Sequence, residues 1–152
     1  MQSYVRPHLE YCVKVWSPYF EKDKTKLENV QKRALRMITN LRSKTYEERL
    51  AEVNLFSLKK RRLRGDLIEV FKIFKGFSKW ENHITLANRN YNTRGHSLKI
   101  DKQHCRTDIR KHFFTQRVVN DWNSLPEEVV ECGTIDTFKN RLDKYFKEIN
   151  LT

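Results

Sequence analysis

One segment constrains the fold more than any other: SLKKRRLRGDLIEVFKIFKGF, residues 57–77. Ser57 suits an N-cap and Gly76 suits a helix stop, so a single helix is predicted between them. Leu63, Leu67, Val70, Phe71 and Phe74 share one face at steps of three and four. At about 100° per residue, Arg61, Arg64, Lys72 and Lys75 fall on the opposite side. Lys59, Lys60 and Arg62 crowd the first turn, where the helix dipole favours an anion, and a bound phosphate there would relieve the conflict. A helix of this kind needs other helices to cover its apolar stripe.

Those helices are legible on both sides of it. The opening MQSYVRPHLEYCVKVWSPYF places Tyr4, Val5, Leu9, Cys12, Val13 and Trp16 at helical spacing. Pro7 is tolerated only near a helix start, so this helix is predicted to begin about there and to bury Leu9, Cys12, Val13 and Trp16. Pro18 and the charges after it mark a turn. A second helix is predicted with Leu27, Val30, Ala34, Ile38 and Leu41 inside and a Thr25–Glu28 capping box at its start. Thr45 and Glu48 repeat that box before a short helix with Leu50 and Val53 as its apolar contacts.

Past Gly76 the texture changes. FSKWENHITLANRNYNTRGHSLKID has little helical period, and Leu98 and Ile100 alternate with Ser97 and Lys99 as in a short strand or extended arm. From Arg89 to Arg117 there are eight Lys and Arg against two Asp. Helices then return: Phe114, Val118, Trp122 and Leu125 keep a period, Pro126 starts a short helix that Gly133 ends, and Thr134 caps a last one burying Phe138, Leu142, Tyr145, Phe146 and Ile149. The expected architecture is mainly α: a helical bundle over residues 1–77, a linker or extended arm with a short strand over 78–106, and a second small helical subdomain over 107–152.

Composition bounds the function. The 152 residues carry 31 Lys and Arg against 19 Asp and Glu, a formal charge of +12. Charge of that density favours a polyanion, with nucleic acid first and an acidic protein or anionic surface behind it. Residues 118–152 hold four basic and seven acidic side chains, so the excess sits mid-chain. No apolar run is long enough for a membrane span and no signal-peptide pattern opens the chain, so an intracellular protein of nucleus or cytoplasm is expected.

Chemistry of the catalytic kind is hard to find. The chain has no GxxxxGK[ST], GxGxxG, GxSxG or HExxH. Glu47–Glu48 and Glu127–Glu128 are adjacent pairs pointing about 100° apart, which suits first-turn dipole partners better than a shared metal. Cys12, Cys105 and Cys132 form no CxxC pair, and His104, Cys105 and His112 lack ligand spacing. No catalytic residue, metal, cofactor or small-molecule substrate is expected.

The stretches YVRPHLEYCVKVWSPY, LENVQKRALRMI, SLKKRRLRGDLIEVFKIFKG, NTRGHSLKI, FFTQRVVNDWNSLPEEVV and TFKNRLDKYF, in that order, closely resemble the C-terminal part of the reverse transcriptase of LINE-type, non-LTR retrotransposons, the jockey and chicken-repeat-like group. The resemblance runs from Tyr4 to about Phe146. It implies a helical thumb over roughly Tyr4–Phe77 followed by the C-terminal extension, both lying after a palm whose aspartates sit in an Ala-Asp-Asp motif that this sequence lacks. It implies that the thumb grips a template–primer duplex, that the extension holds RNA or target DNA, and that a palm is a further partner. Met1 then reads as an internal start.

Residues and resemblance point to one role, a non-catalytic piece of a polymerase that grips nucleic-acid backbone without reading sequence. The candidate contacts are Arg61, Arg64, Lys72 and Lys75 on the central helix, and Arg94, His96, Lys99, Arg106, Arg110 and Lys111 on the arm. Tyr91, His96 and Phe113, interleaved with the arginines, suit stacking on bases or sugars. Gly95 suits a positive φ or a close approach to phosphate. A helical module for an acidic protein partner, a truncated relic without selected function, and plainly solvated charged faces are the alternatives.

Overall fold

The computed structural model describes residues 6–78, 84–87 and 95–149. The fold is mainly α. The chain forms two compact units, Met1–Leu63 and Arg64–Thr152. The division falls inside the central helix, and not at the change of sequence texture after Phe77.

In the first unit, α1 (Arg6–Glu10) is only five residues long. Cys12 sits at φ 50°, a left-handed conformation that L-residues adopt at a cost, and it ends the expected longer helix. Val13 and Trp16 therefore do not continue the face of Leu9; Trp16 is largely exposed, and its indole Nε1 donates to Tyr11 O at 2.8 Å. Tyr4 and Val5 lie outside the described residues.

The second helix, α2, spans Glu21–Arg36 after Phe20, so Thr25 lies inside it and caps nothing. Its buried face also differs from the periodic expectation. Gln31 and Leu35 are buried, whereas Val30 is 41% and Ile38 40% exposed. Polar chemistry sets this rotation. Gln31 Nε2 donates to Tyr46 Oη at 3.1 Å and Phe56 O at 3.2 Å, while the Glu28 carboxylate accepts from the Tyr46 hydroxyl. That carboxylate and burial push the Tyr46 phenol far above its ordinary range, burial being the larger cause.

A 3₁₀ turn at Thr39–Leu41 leads to α3 (Tyr46–Glu52), whose predicted capping box is present. Glu48 N–H donates to Thr45 Oγ1 at 3.4 Å, and Thr45 N–H donates to Glu48 Oε2 at 2.7 Å. Arg49, itself buried, donates to Leu41 O at 2.8 Å and Arg42 O at 2.9 Å, closing off the end of the turn before α3.

The central helix, α4, spans Leu58–Phe74 and crosses from the first unit into the second. It starts where predicted: Lys60 N–H donates to Ser57 Oγ at 3.3 Å. It also ends where predicted. Gly76 has φ 73°, with Gly76 N–H on Ile73 O at 3.1 Å and Phe77 N–H on Lys72 O at 2.8 Å, a Schellman stop that glycine permits without strain.

The second unit continues through α5 (Asp108–Lys111), α6 (Phe114–Arg117), α7 (Val119–Asn123), α8 (Glu127–Val130) and α9 (Ile135–Ile149). Phe114, Val118, Trp122, Leu125, Phe138, Leu142 and Phe146 are buried as their spacing predicts. Tyr145 is only half-buried and Ile149 is exposed, which shortens the expected face of α9 at its end. Phe71 of α4 stacks on Phe138 of α9 with ring centroids 4.4 Å apart, and Trp122 leans on both Phe74 and Phe138. Thr134 caps α9 by accepting from Thr137 N–H at 3.2 Å.

The described part of the extended segment belongs to this second unit. Leu86 and Ile100 pair in an isolated antiparallel bridge. Asn123 then treats Ile100 as a strand would, accepting from its N–H and donating to its carbonyl, both at 2.9 Å. Trp122 Nε1 donates to Leu98 O at 2.7 Å. The expected short strand is reduced to this isolated bridge among the described residues: Ile100 is buried, Leu98 and Lys99 are both half-buried, and side chains of α7 supply the second partner.

The two candidate capping boxes separate cleanly by mutation. Thr45→Ala is expected to destabilise by about 1 kcal/mol, and Thr25→Ala to change stability by no more than about 0.5 kcal/mol, read as shifts in thermal unfolding followed by helical circular dichroism.

Candidate nucleic-acid interface

The cations of α4 were expected to be free for phosphate. Most of them are already answered by the chain. Arg61 forms a two-pronged ion pair with Glu10, its Nη2 lying 2.6 Å from Oε2. Arg62 is buried, donates from Nη2 to Leu9 O at 3.2 Å and lies 5.3 Å from the Trp16 ring. Arg64 pairs with Asp143 through contacts of 2.5 and 2.8 Å. Lys72 lies 3.6 Å from Glu69, and Lys75 is exposed with Nζ 5.6 Å from the Phe71 ring.

The anion that the basic first turn of α4 calls for is likewise internal. Both oxygens of Glu28 face Leu58 N–H, at 3.2 and 3.1 Å, so a carboxylate from α2 occupies the place expected for phosphate. Lys60 tucks its ammonium 5.7 Å from the Phe56 ring, and burial lowers its pKa. Glu28 escaped the sequence reading because it was assigned to a capping box in its own helix.

A buried pair also went unpredicted. Arg117 of α6 clamps Asp66 of α4 with two hydrogen bonds of 2.9 Å, the aspartate being almost fully enclosed. Geometry of that quality suits two charges removed from water.

The arm divides into a core part and an exposed part. Arg94 and Tyr91 lie outside the described residues. His96 is not available to a ligand: it is 2% exposed, packs edge-on against Trp122, and its Nε2 lies 2.9 Å from Trp122 O. That partner only accepts, so Nε2 carries the proton and Nδ1 is the bare nitrogen, buried without a hydrogen bond. Gly95 does have a positive φ, 110°, and the space beside it is filled by Lys99, whose Cε and Nζ lie 3.1 and 3.2 Å from where a Cβ would stand. Lys99 is thus half-buried and folded over the backbone.

Arg106, Arg110 and Lys111 are exposed as expected, and Lys102 and His104 beside them are exposed too. Among the described residues, Lys102, Arg106 and Lys111 make no ion pair. Thr107 opens this stretch by accepting from Arg110 N–H at 3.4 Å, and the Arg110 guanidinium lies 5.7 Å from the Phe113 ring. Asp108 is the acid within it, and Asp101 immediately precedes Lys102. Lys102 belongs to the basic run of residues 89–117, and no periodicity distinguishes it within that run.

Among the described residues no group of three His, Cys, Asp or Glu is placed to hold a metal ion. Cys12 and Cys105 are half-buried free thiols, and burial pushes the thiol of buried Cys132 up. No described helix is long and apolar enough to cross a membrane. Compared with protein-family models, curated proteins and solved structures, the chain matches none.

Two outcomes test this placement. Asp66→Ala leaves Arg117 as an uncompensated, enclosed cation and should cost about 3 kcal/mol or more. Arg64→Ala breaks a partly exposed pair and should cost about 1 kcal/mol or less in the same chemical-denaturation measurement. For His96, burial is the largest cause holding its pKa below the ordinary value, the charge of Lys99 works the same way, and the Trp122 carbonyl and Glu127 oppose both. A lowered folded pKa means that stability is fully present above the ordinary imidazole pKa and is lost as pH falls through the folded one. Melting temperature should therefore drop between pH 7 and pH 5, and that slope should flatten in His96→Gln.

Proposed function

We propose that this chain is a non-catalytic, thumb-and-extension part of a LINE-type reverse transcriptase that holds nucleic acid through its phosphate backbone without reading sequence. The observation that carries the reading is the stretch from Lys102 to Lys111, where Lys102, Arg106, Arg110 and Lys111 stand exposed on one short segment with one aspartate, Asp108, among them. The ordered resemblance of six sequence stretches and the mainly α fold support it. The sequence carries no Ala-Asp-Asp motif, and on this reading polymerisation belongs to a palm outside this chain.

Backbone contact here works through released counterions, so affinity should fall steeply with salt. With four cations engaged, affinity should drop roughly 50-fold for a single strand to 150-fold for a duplex between 50 and 200 mM salt. Replacing Arg106, Arg110 and Lys111 together by Ala should flatten that dependence by about two to three units of slope. Arg61→Gln and Arg64→Gln should lower stability more than they change the slope, because those side chains already hold Glu10 and Asp143. Binding that is indifferent to salt would sink the proposal.

A second reading has its own observation. In the first unit Val15, Phe20, Met37 and Ile38 are exposed, Met37 at 81%, which favours a helical module that docks a protein. A complex with a purified acidic protein that survives nuclease treatment would favour that reading.

A further inference from the structure

The basic stretch of the second unit carries apolar side chains that its core leaves out. Phe114, Val118 and Trp122 are buried, yet Ile109 is 78% exposed and Phe113 38% exposed. Both lie in the same short turn as Arg110 and Lys111, just after Lys102 and Arg106. Lys111 N–H closes on Thr107 O at 3.1 Å, His112 N–H on Asp108 O at 3.0 Å and Phe113 N–H on Arg110 O at 3.2 Å, so residues 107–113 hold one compact local shape. Thr107 fixes its start, and Arg110 shares its guanidinium with the Phe113 ring.

A ligand for this surface has to offer phosphates to Lys102, Arg106, Arg110 and Lys111 and flat apolar faces to Ile109 and Phe113. Duplex nucleic acid offers the first and hides the second, because its bases are stacked inside. An unpaired strand offers both, and base stacking on an aromatic ring tolerates any sequence. We infer that residues 102–113 take single-stranded nucleic acid in preference to duplex, with unpaired bases packing on Phe113 and Ile109 while the cations hold the backbone. This rests on the nucleic-acid reading above and narrows its substrate. An acidic protein segment would satisfy the charges but has no equivalent need for the flat ring.

The test uses the full chain and fluorescence anisotropy with a labelled 20-nucleotide mixed-sequence strand, the matching duplex, and heparin as a polyanion without bases. At one fixed salt concentration the strand should bind about tenfold more tightly than the duplex. Ile109→Ser, at a position too exposed to disturb packing, and Phe113→Ala should each reduce strand affinity about five- to tenfold and leave duplex and heparin binding unchanged. Phe113→Trp should place a fluorophore there that the strand quenches and the duplex does not. Equal affinity for strand and duplex overturns this inference while leaving backbone binding intact. A strand preference that survives both Ile109→Ser and Phe113→Ala also overturns it. Salt-dependent binding to none of the three overturns the broader reading as well. If Phe113→Ala unfolds the chain by circular dichroism, Ile109→Ser and the quenching of Phe113→Trp decide alone.

Discussion

Burying one side of α4 obliges the chain to answer the cations that flank it. The helix joins an apolar face to a run of Lys and Arg, and its first turn opposes its own dipole. Within the first unit, Glu28 sits on Leu58 N–H, Glu10 takes Arg61, and a main-chain carbonyl takes Arg62. Within the second, Asp143 takes Arg64, and α4 contributes an acid of its own, Asp66, to Arg117. Within their own units these contacts tie α4 to α1, α2, α6 and α9, so the charges as well as the apolar stripe bear on where the neighbouring pieces rest. Exposed pairs of this kind stabilise by about 1 kcal/mol or less, while the enclosed Asp66–Arg117 pair is costly to break from one side.

Internal pairing changes what the excess of positive charge means. A formal +12 on the whole chain suggests a broadly adhesive protein. Once Arg61, Arg64 and Arg117 are assigned to carboxylates and Arg49 and Arg62 to carbonyls, the short stretch around α5 remains as one exposed basic segment of the second unit. Residues within the ordered sequence motifs do much of this internal work. Asp66, His96, Arg117, Trp122 and Asn123 all fall within the quoted motifs, and all are occupied in holding the second unit together.

What the sequence revealed was chiefly what is local. Ser57, Thr45, Thr134 and Gly76 mark helix ends through bonds that span three to five residues, and all four do so in the structure. The apolar period of the C-terminal helices also held, because Trp122, Phe138 and Phe71 meet in one core. Periodicity misplaced the buried side of α2, where Gln31 and Glu28 serve Tyr46 and Leu58 far along the chain, and a count of apolar residues cannot see that. A histidine beside an arginine and a glycine reads as a ligand, yet His96 lies inside, since burial depends on Trp122 and not on its neighbours in sequence. The basic character of the arm was visible at once. Which cations of α4 and α6 are already paired was not, because the partners of Arg61 and Arg117 lie 51 residues away and that of Arg64 lies 79 residues away.

The spacing of these partners also bears on how the chain acquires its shape as it is made. The pairs in the first unit close within its own residues, so that part is complete in sequence once α4 has begun. The second unit is different: Phe71 waits for Phe138, and Arg64 waits for Asp143, 79 residues later. During vectorial synthesis the apolar face of α4 stays without its principal cover until α9 has left the ribosome, a delay of several seconds at ordinary elongation rates of about 5–20 residues per second. Throughout that interval this apolar face is shielded by little besides its own flanking charges, which gives the crowded lysines and arginines of α4 a use in keeping the nascent chain apart from its neighbours.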